Sequence, residues 1–413
     1  MADEPSVVPI WIDVGKNLNA ASLVVCLQHI SKEAIISGGK FDNFFKIYRR
    51  KLTSDDRKEN QRSKNVVYYP GSIVVSPRSF SGLSTCSGNE MQMRLQFEYT
   101  RDHKENGPKK RLEQEMQELR NKRHCICCRL CGSAIQSPER KFKRVLELPS
   151  ENWLELAQDW CCHGSSNLTS MAGALEPDEN DCFVGDYYIK VNCSSAVPDS
   201  LQIIPGEELL SLKCSRCNAI VGNVCTEDSS RDSLQLMSDN SIHLHKHKIS
   251  TRHSNLFRSY CIETFITSYL ISKSRGAVNF RFLVQDPIQN GKRTTYACLW
   301  LFNADSAVVT NIEPHDIDSI SRGVKNGLYL VKSKARYLPV LKILYKIKPF
   351  FDDINWDLEV ITWQENSSVQ PLLFTKETCL HLILLLIQST NTIAPSLREV
   401  NGFKVGFLRT SNV

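Results

Sequence analysis

From Met91 to Tyr99 apolar and polar side chains alternate: Met91, Met93, Leu95, Phe97 and Tyr99 against Gln92, Arg94, Gln96 and Glu98. A period of two sends one row to a core and the other to water, so this stretch predicts a half-buried strand. Val7–Val14 and Ala21–Leu27 predict further strands. Pro9 favours an edge position for the first, because proline lacks the N–H that a central ladder needs. Val66–Tyr69 and Ile73–Val75 flank Pro70-Gly71, a turn signal. No helix-length periodic segment interrupts this region, which predicts a β-rich N-terminal domain over 1–100, a sandwich or open barrel.

Residues 101–124 are dense in Lys, Arg, Glu and Gln. With opposite charges interleaved, they predict a charged connector, or a solvated helix over about 112–122. After Pro149, Trp153, Leu156, Ala157 and Trp160 fall at i, i+3, i+4 and i+7, the spacing of one buried helix face. Gly164 supplies a stop after Cys161-Cys162-His163. Phe183–Val191 returns to strand character, broken at Gly185-Asp186. Further on, Phe257, Tyr260, Cys261 and Phe265 predict a helix over about 255–272. Tyr296–Phe302, Tyr337–Tyr345, Leu358–Trp363 and Gly402–Leu408 predict strands. Thr375–Ser389 is apolar on nearly every side and predicts a central buried helix. The sum is an α+β protein: the N-terminal domain, the connector, a metal-braced central region over 125–250 and a C-terminal α/β part over 251–413.

The chain has 413 residues, 41% hydrophobic and 23% charged. Those values exclude wholesale disorder and collagen-like or coiled-coil architecture. A net charge of +6 is too weak to mark a nucleic-acid binder. The first residues show no signal-peptide pattern, and the apolar run Leu380–Ile387 is far short of a membrane span. The expected setting is cytoplasm and nucleus, with no membrane or direct nucleic-acid partner.

Sixteen cysteines change the picture. Cys128-Arg129-Leu130-Cys131-Gly132 and Cys214-Ser215-Arg216-Cys217-Asn218 each place two residues between thiols and a turn-forming residue after the second. A tight turn of this kind aims both sulfurs at one point, and the residue after it often takes a positive φ. The two half-sites predict a structural four-cysteine zinc site assembled from Cys128, Cys131, Cys214 and Cys217. Cys125-x-x-Cys128 is a competing register for the first half-site. His243, His245 and His247 share one strand face, where successive residues stand about 7 Å apart. That spacing favours a polar, exposed face over a three-histidine metal site.

Between the two half-sites Cys182 sits among Glu176, Asp178, Glu179, Asp181 and Asp186. Negative neighbours disfavour a thiolate, the wrong setting for a freestanding nucleophile. They suit an outward acidic loop that offers sulfur to a metal held by another protein.

Trp160-Cys161-Cys162-His163, then Glu179-Asn180-Asp181-Cys182-Phe183-Val184-Gly185-Asp186, then the Cys214/Cys217 turn are similar to the HECT-like ubiquitin-protein ligase family. The resemblance runs from about residue 128 to the C-terminus. It implies a ligase that takes ubiquitin from a ubiquitin-conjugating enzyme and promotes substrate degradation, with Cys182 or Cys379 as the candidate catalytic thiol. It also implies a link to pre-mRNA 3′-end cleavage. In that role Asn180, Asp181, Cys182 and Phe183 would enter the zinc-containing active site of the cleavage endonuclease, making the chain a non-catalytic inhibitor or assembly factor. The HECT-like label falls on about 375–408, where Cys379 precedes an apolar run that predicts a packed thiol rather than a presented one.

Overall fold

The computed structural model describes residues 10–15, 20–26, 34–38, 44–49, 64–68, 73–75, 81–86, 90–99, 108–136, 141–149, 176–206, 210–225, 241–252, 254–274, 280–288, 293–314, 329–349 and 353–410. Eight strands come first: β1 (Ile10–Gly15), β2 (Ala20–Cys26), β3 (Ala34–Gly38), β4 (Phe44–Arg49), β5 (Lys64–Tyr68), β6 (Ile73–Val75), β7 (Ser81–Cys86) and β8 (Glu90–Tyr99). In β8 the alternation holds, with Met91, Met93, Leu95 and Phe97 buried on one side. The strands β5 and β6 do not form a hairpin; β5 pairs with β4 and β6 with β8. The turn between them lies outside the described residues, as does Pro9. Nor is β1 an edge strand: it pairs with β2 on one side and with β19 (Thr295–Pro314) on the other. The ladder begins at Ile10, one residue past the proline.

The charged segment yields helix α1 (Pro108–Asn121), and it is not solvated all round. Leu112, Met116 and Leu119 are buried in the central core. Then come β9 (Ile126–Cys128), β10 (Arg144–Glu147), β11 (Asp181–Val184), β12 (Tyr188–Asn192), β13 (Leu201–Ile204), β14 (Ser211–Cys214), β15 (Ile220–Cys225), β16 (Ser241–His245) and β17 (Ile249–Thr251). Seven of these form a sheet in the order β10-β11-β12-β16-β15-β14-β13, while β9 and β17 pair alone. The helix predicted after Pro149, with Cys161, Cys162 and His163, lies outside the described residues. The backbone of β15 touches its neighbour at Gly222, where a Cβ would meet the His243 carbonyl oxygen at 1.8 Å. Gly222→Ala therefore forces two paired strands apart. We expect it to cost about 3 kcal/mol, read as a lowered denaturation midpoint, and an unchanged midpoint would refute the close approach.

The C-terminal part holds α2 (Ile262–Ser274), β18 (Arg281–Gln285), β19, β20 (Tyr329–Ile347), α3 (Ile354–Glu365), β21 (Val369–Leu373), α4 (Lys376–Thr392), β22 (Glu399–Val400) and β23 (Phe403–Arg409). One prediction fails here, and the helix expected over about 255–272 forms but starts later, at Ile262. Leu358–Trp363 is helix, not strand, because Trp356 and Trp363 anchor one helical face. Phe257 and Tyr260 precede α2 and pack into the central core instead. Helix α4 forms as predicted, with the Thr375 side chain accepting from the Thr378 N–H at its start. It is not buried on every side, since Leu380 and Leu384 are exposed.

Both ends of the chain share one 14-stranded sheet. The long strands β19 and β20 make this possible. Register shifts near Leu301, Asn303 and Thr310 bend their pairing, so β19 serves β18 with its first half and β1 with its second. Alternation across β18 and β19 sorts the helices onto two faces. Phe282, Val284, Ala297 and Leu299 pack under α2 and α4, whereas Leu283 and Cys298 pack under α3. No helix among the described residues is long and apolar enough to cross a membrane.

Candidate functional site

Cys128 and Cys131, 83 residues or more from Cys214 and Cys217, meet them in space. The Cys128 Sγ lies 3.6 Å from that of Cys217, and the Cys131 Sγ 3.7 Å from that of Cys214. All four sulfurs fall within 4.8 Å of one another. Each half-site is a hairpin turn of the same construction. Cys128 N–H donates to Ser133 O and Gly132 N–H to Cys128 O; Cys214 N–H donates to Ala219 O and Asn218 N–H to Cys214 O. Gly132 has φ 70° and Asn218 φ 60°, the left-handed turn the spacing predicted.

Backbone N–H groups also turn toward the sulfurs. The Ser133 N–H holds the Cys131 thiol down at about 7. Burial pushes Cys128 up to about 12, against the N–H groups of Cys131 and Leu130. A donor set of four thiols this close suits a soft, tetrahedral cation: with metal–sulfur bonds near 2.3 Å, ligand sulfurs stand about 3.8 Å apart. The competing register is not used. Cys125 instead lies 3.6 Å from Cys127, both sulfurs buried outside the cluster.

Cys182 stands elsewhere. It is the second residue of β11, flanked by Val145 of β10 and Val191 of β12, and is 0% exposed. Glu176, Asp178 and Glu179 are exposed, but Asp181 and Cys182 themselves are packed, so the sulfur is not carried on an outward loop. Asp181 accepts from Arg144 Nε at 3.1 Å and from the Asp178 N–H at 3.0 Å, while Glu176 pairs with Lys190 at 2.6 Å. Those pairings let the carboxylates sit beside a packed strand. Burial first, and Asp181 to a smaller degree, push the Cys182 thiol far up, against the opposing pull of Lys246. Phe183 is buried with the Arg144 guanidinium 5.6 Å from its ring; Asn180 alone of the four is partly open. Offering the Cys182 sulfur to another protein's metal would require β11 to leave both neighbours.

Cys379 lies in the first turn of α4, fully buried, with its Sγ 3.6 Å from Phe374 O. Burial raises its thiol to about 12. The histidine stripe is not an exposed face either: His247 is buried, and His243 and His245 are half-buried. His243 stacks on Tyr188 at 4.0 Å, while His245 and His247 lie 5.0 and 4.4 Å from Phe265 of α2. Desolvation drives His245 down to about 4, so the stripe is a neutral packing surface.

Two residues that bind this region together were not singled out from the sequence. Lys246 is wholly buried; its Nζ lies 2.6 Å from Glu115 Oε2 of α1 and 3.2 Å from Tyr260 Oη, which itself donates to Glu115 Oε1 at 2.6 Å. A signal was present, because Lys246 continues the apolar row Ile242, Leu244 opposite the histidines. Arg129, inside the first half-site, donates to the carbonyls of His247, Arg258 and Tyr260 and fastens that turn to the 254–260 segment.

Comparisons with known proteins identify the family of the chain. The model of a family described as HECT-like ubiquitin-conjugating enzyme (E2)-binding matches residues 14–405. The chain is 31% identical over 349 residues to E3 ubiquitin-protein ligase E3D of Mus musculus, covering 82% of this chain and 84% of that protein. It is 28% identical over 362 residues to the Homo sapiens protein of the same name, covering 83% and 86%. The four clustered cysteines and the packed Asn-Asp-Cys strand are thus features of a chain that belongs to the HECT-like, E2-binding family.

Proposed function

We propose that this chain is a ubiquitin ligase that docks a charged ubiquitin-conjugating enzyme and lets ubiquitin pass from that enzyme to the substrate without stopping on Cys182 or Cys379. Family membership supports the pathway and the partner. The burial of both sulfurs carries the route: a thioester relay needs an accessible thiolate, and burial raises both thiols and closes them to a second protein. On this reading Cys128, Cys131, Cys214 and Cys217 hold one structural zinc ion, all four positions being filled by protein.

The test is single-turnover discharge of ubiquitin from a charged conjugating enzyme to free lysine, run on non-reducing gels. Full-length protein should accelerate discharge without acquiring a reducible ubiquitin adduct. Cys182→Ala and Cys379→Ala should retain the wild-type rate. An adduct that disappears in either variant would establish the relay and refute direct passage. No acceleration by the wild type would refute the ligase reading itself.

A further inference from the structure

The face of α3 turned away from the sheet is apolar. Ile354, Leu358 and Ile361 follow one another at i, i+4 and i+7 and are 78%, 57% and 48% exposed. A solitary exposed leucine is ordinary; three large aliphatic side chains in one helical row are the pattern of a helix that docks into a partner. The opposite face is firmly held. Trp356 and Trp363 are buried against Leu283 and Cys298. The Arg281 guanidinium lies 4.6 Å from the Trp300 ring and 5.7 Å from that of Trp363. Glu359 receives Lys346 Nζ at 2.8 Å and Trp363 Nε1 at 3.0 Å. The row is therefore presented on a fixed helix, which lowers the ordering cost of binding.

Charge says what fits it. From Asp353 to Glu365 there are four carboxylates and no Lys, Arg or His, in a chain whose net charge is +6. Glu359 is engaged by the sheet, but Asp357 and Glu365 stand exposed beside the aliphatic row. An apolar row with an acidic rim complements a protein surface of apolar side chains ringed by lysine or arginine, and repels a nucleic-acid backbone. Resting on the reading above that the chain docks a conjugating enzyme, we infer that Ile354, Leu358 and Ile361 of α3 form the surface on which that enzyme docks, through an apolar patch with a basic rim.

The experiment measures binding of the full-length protein to a panel of purified ubiquitin-conjugating enzymes at low and high salt. Leu358→Asp and Ile361→Asp should each weaken binding at least about tenfold. Asp357→Lys combined with Glu365→Lys should weaken it about threefold and flatten its salt dependence. Melting temperature should not change, because these side chains are exposed. Leu384→Asp, at a position 55% exposed on α4 across the sheet from α3, should bind like the wild type. Undiminished binding by Leu358→Asp overturns the inference and leaves the ligase reading standing. So does a wild-type dimer that Leu358→Asp converts to monomer, which would assign the row to a second copy of the chain. A wild type that binds no member of the panel overturns both.

Discussion

Replacing Cys214 by serine is expected to abolish the zinc binding proposed for the four cysteines and to melt the seven-stranded sheet. Cys214 ends β14, is wholly buried, and stands in register with Leu201 of β13. Its sulfur belongs to the same core as Cys182, Ile189 and Leu244. Structural zinc sites in small domains bind with roughly 10–16 kcal/mol, and in such sites binding energy is folding energy. A whole domain is stable by only about 5–15 kcal/mol. Losing one of four thiolates therefore removes more than this region can spare. Wild-type protein purified without a tag should carry one equivalent of zinc by elemental analysis, and a strong chelator should reproduce the effect of the mutation. Cys125→Ser, a buried thiol outside the cluster, should keep the zinc. A Cys214→Ser protein that melts with the wild type, or a wild type free of zinc, would refute the site.

Lys246→Met should be the next most damaging single change. It strands the Glu115 carboxylate, which is 5% exposed at the side chain, with the Tyr260 hydroxyl as its remaining hydrogen-bond partner among the described residues. Removing one partner of a buried pair typically costs about 3–5 kcal/mol, since the survivor stays charged in a low-dielectric core. The charge is the cause, so neutralising the survivor should cure it. Glu115→Gln added to Lys246→Met keeps an oxygen for Tyr260 and should recover most of the loss. Urea denaturation of the three proteins measures both effects. A double variant no more stable than Lys246→Met alone would show that packing of the lysine stem, not its charge, is what matters.

What could be read in advance follows a physical line. The β8 alternation and the two cysteine turns are local, and each is written in fewer than ten residues. Gly132 and Asn218 are where they are because the turn after a second thiol needs a left-handed residue, so the pattern was legible without neighbours. Helix α3 was illegible for the opposite reason: it has apolar residues on both faces, Trp356 and Trp363 inward and Ile354, Leu358 and Ile361 outward. A short window then reads as a strand. The acidic setting of Cys182 misled because its resolution is distant. Asp181 is balanced by Arg144, 37 residues earlier, and Lys190 reaches Glu176, 14 residues away. Charge counted along the chain cannot see charge paired across a sheet. The histidines failed similarly, since the Phe265 that covers His247 comes from another element.

The shared sheet has a consequence for how the molecule is made. Trp11 of β1 lies in register with Thr310 of β19, and the Ile10 N–H donates to Asn311 Oδ1, 301 residues away. Closing so long a loop costs about 5 kcal/mol of chain entropy before any contact rewards it. At about 5–20 residues per second of synthesis, the nascent chain waits roughly fifteen to sixty seconds with one edge of β1 unpaired. During that interval Ile12 and Leu23, both buried in the finished protein, have no lid supplied by the later strands. The emerging polypeptide thus carries an open strand edge and an uncovered apolar row until most of the chain has been made.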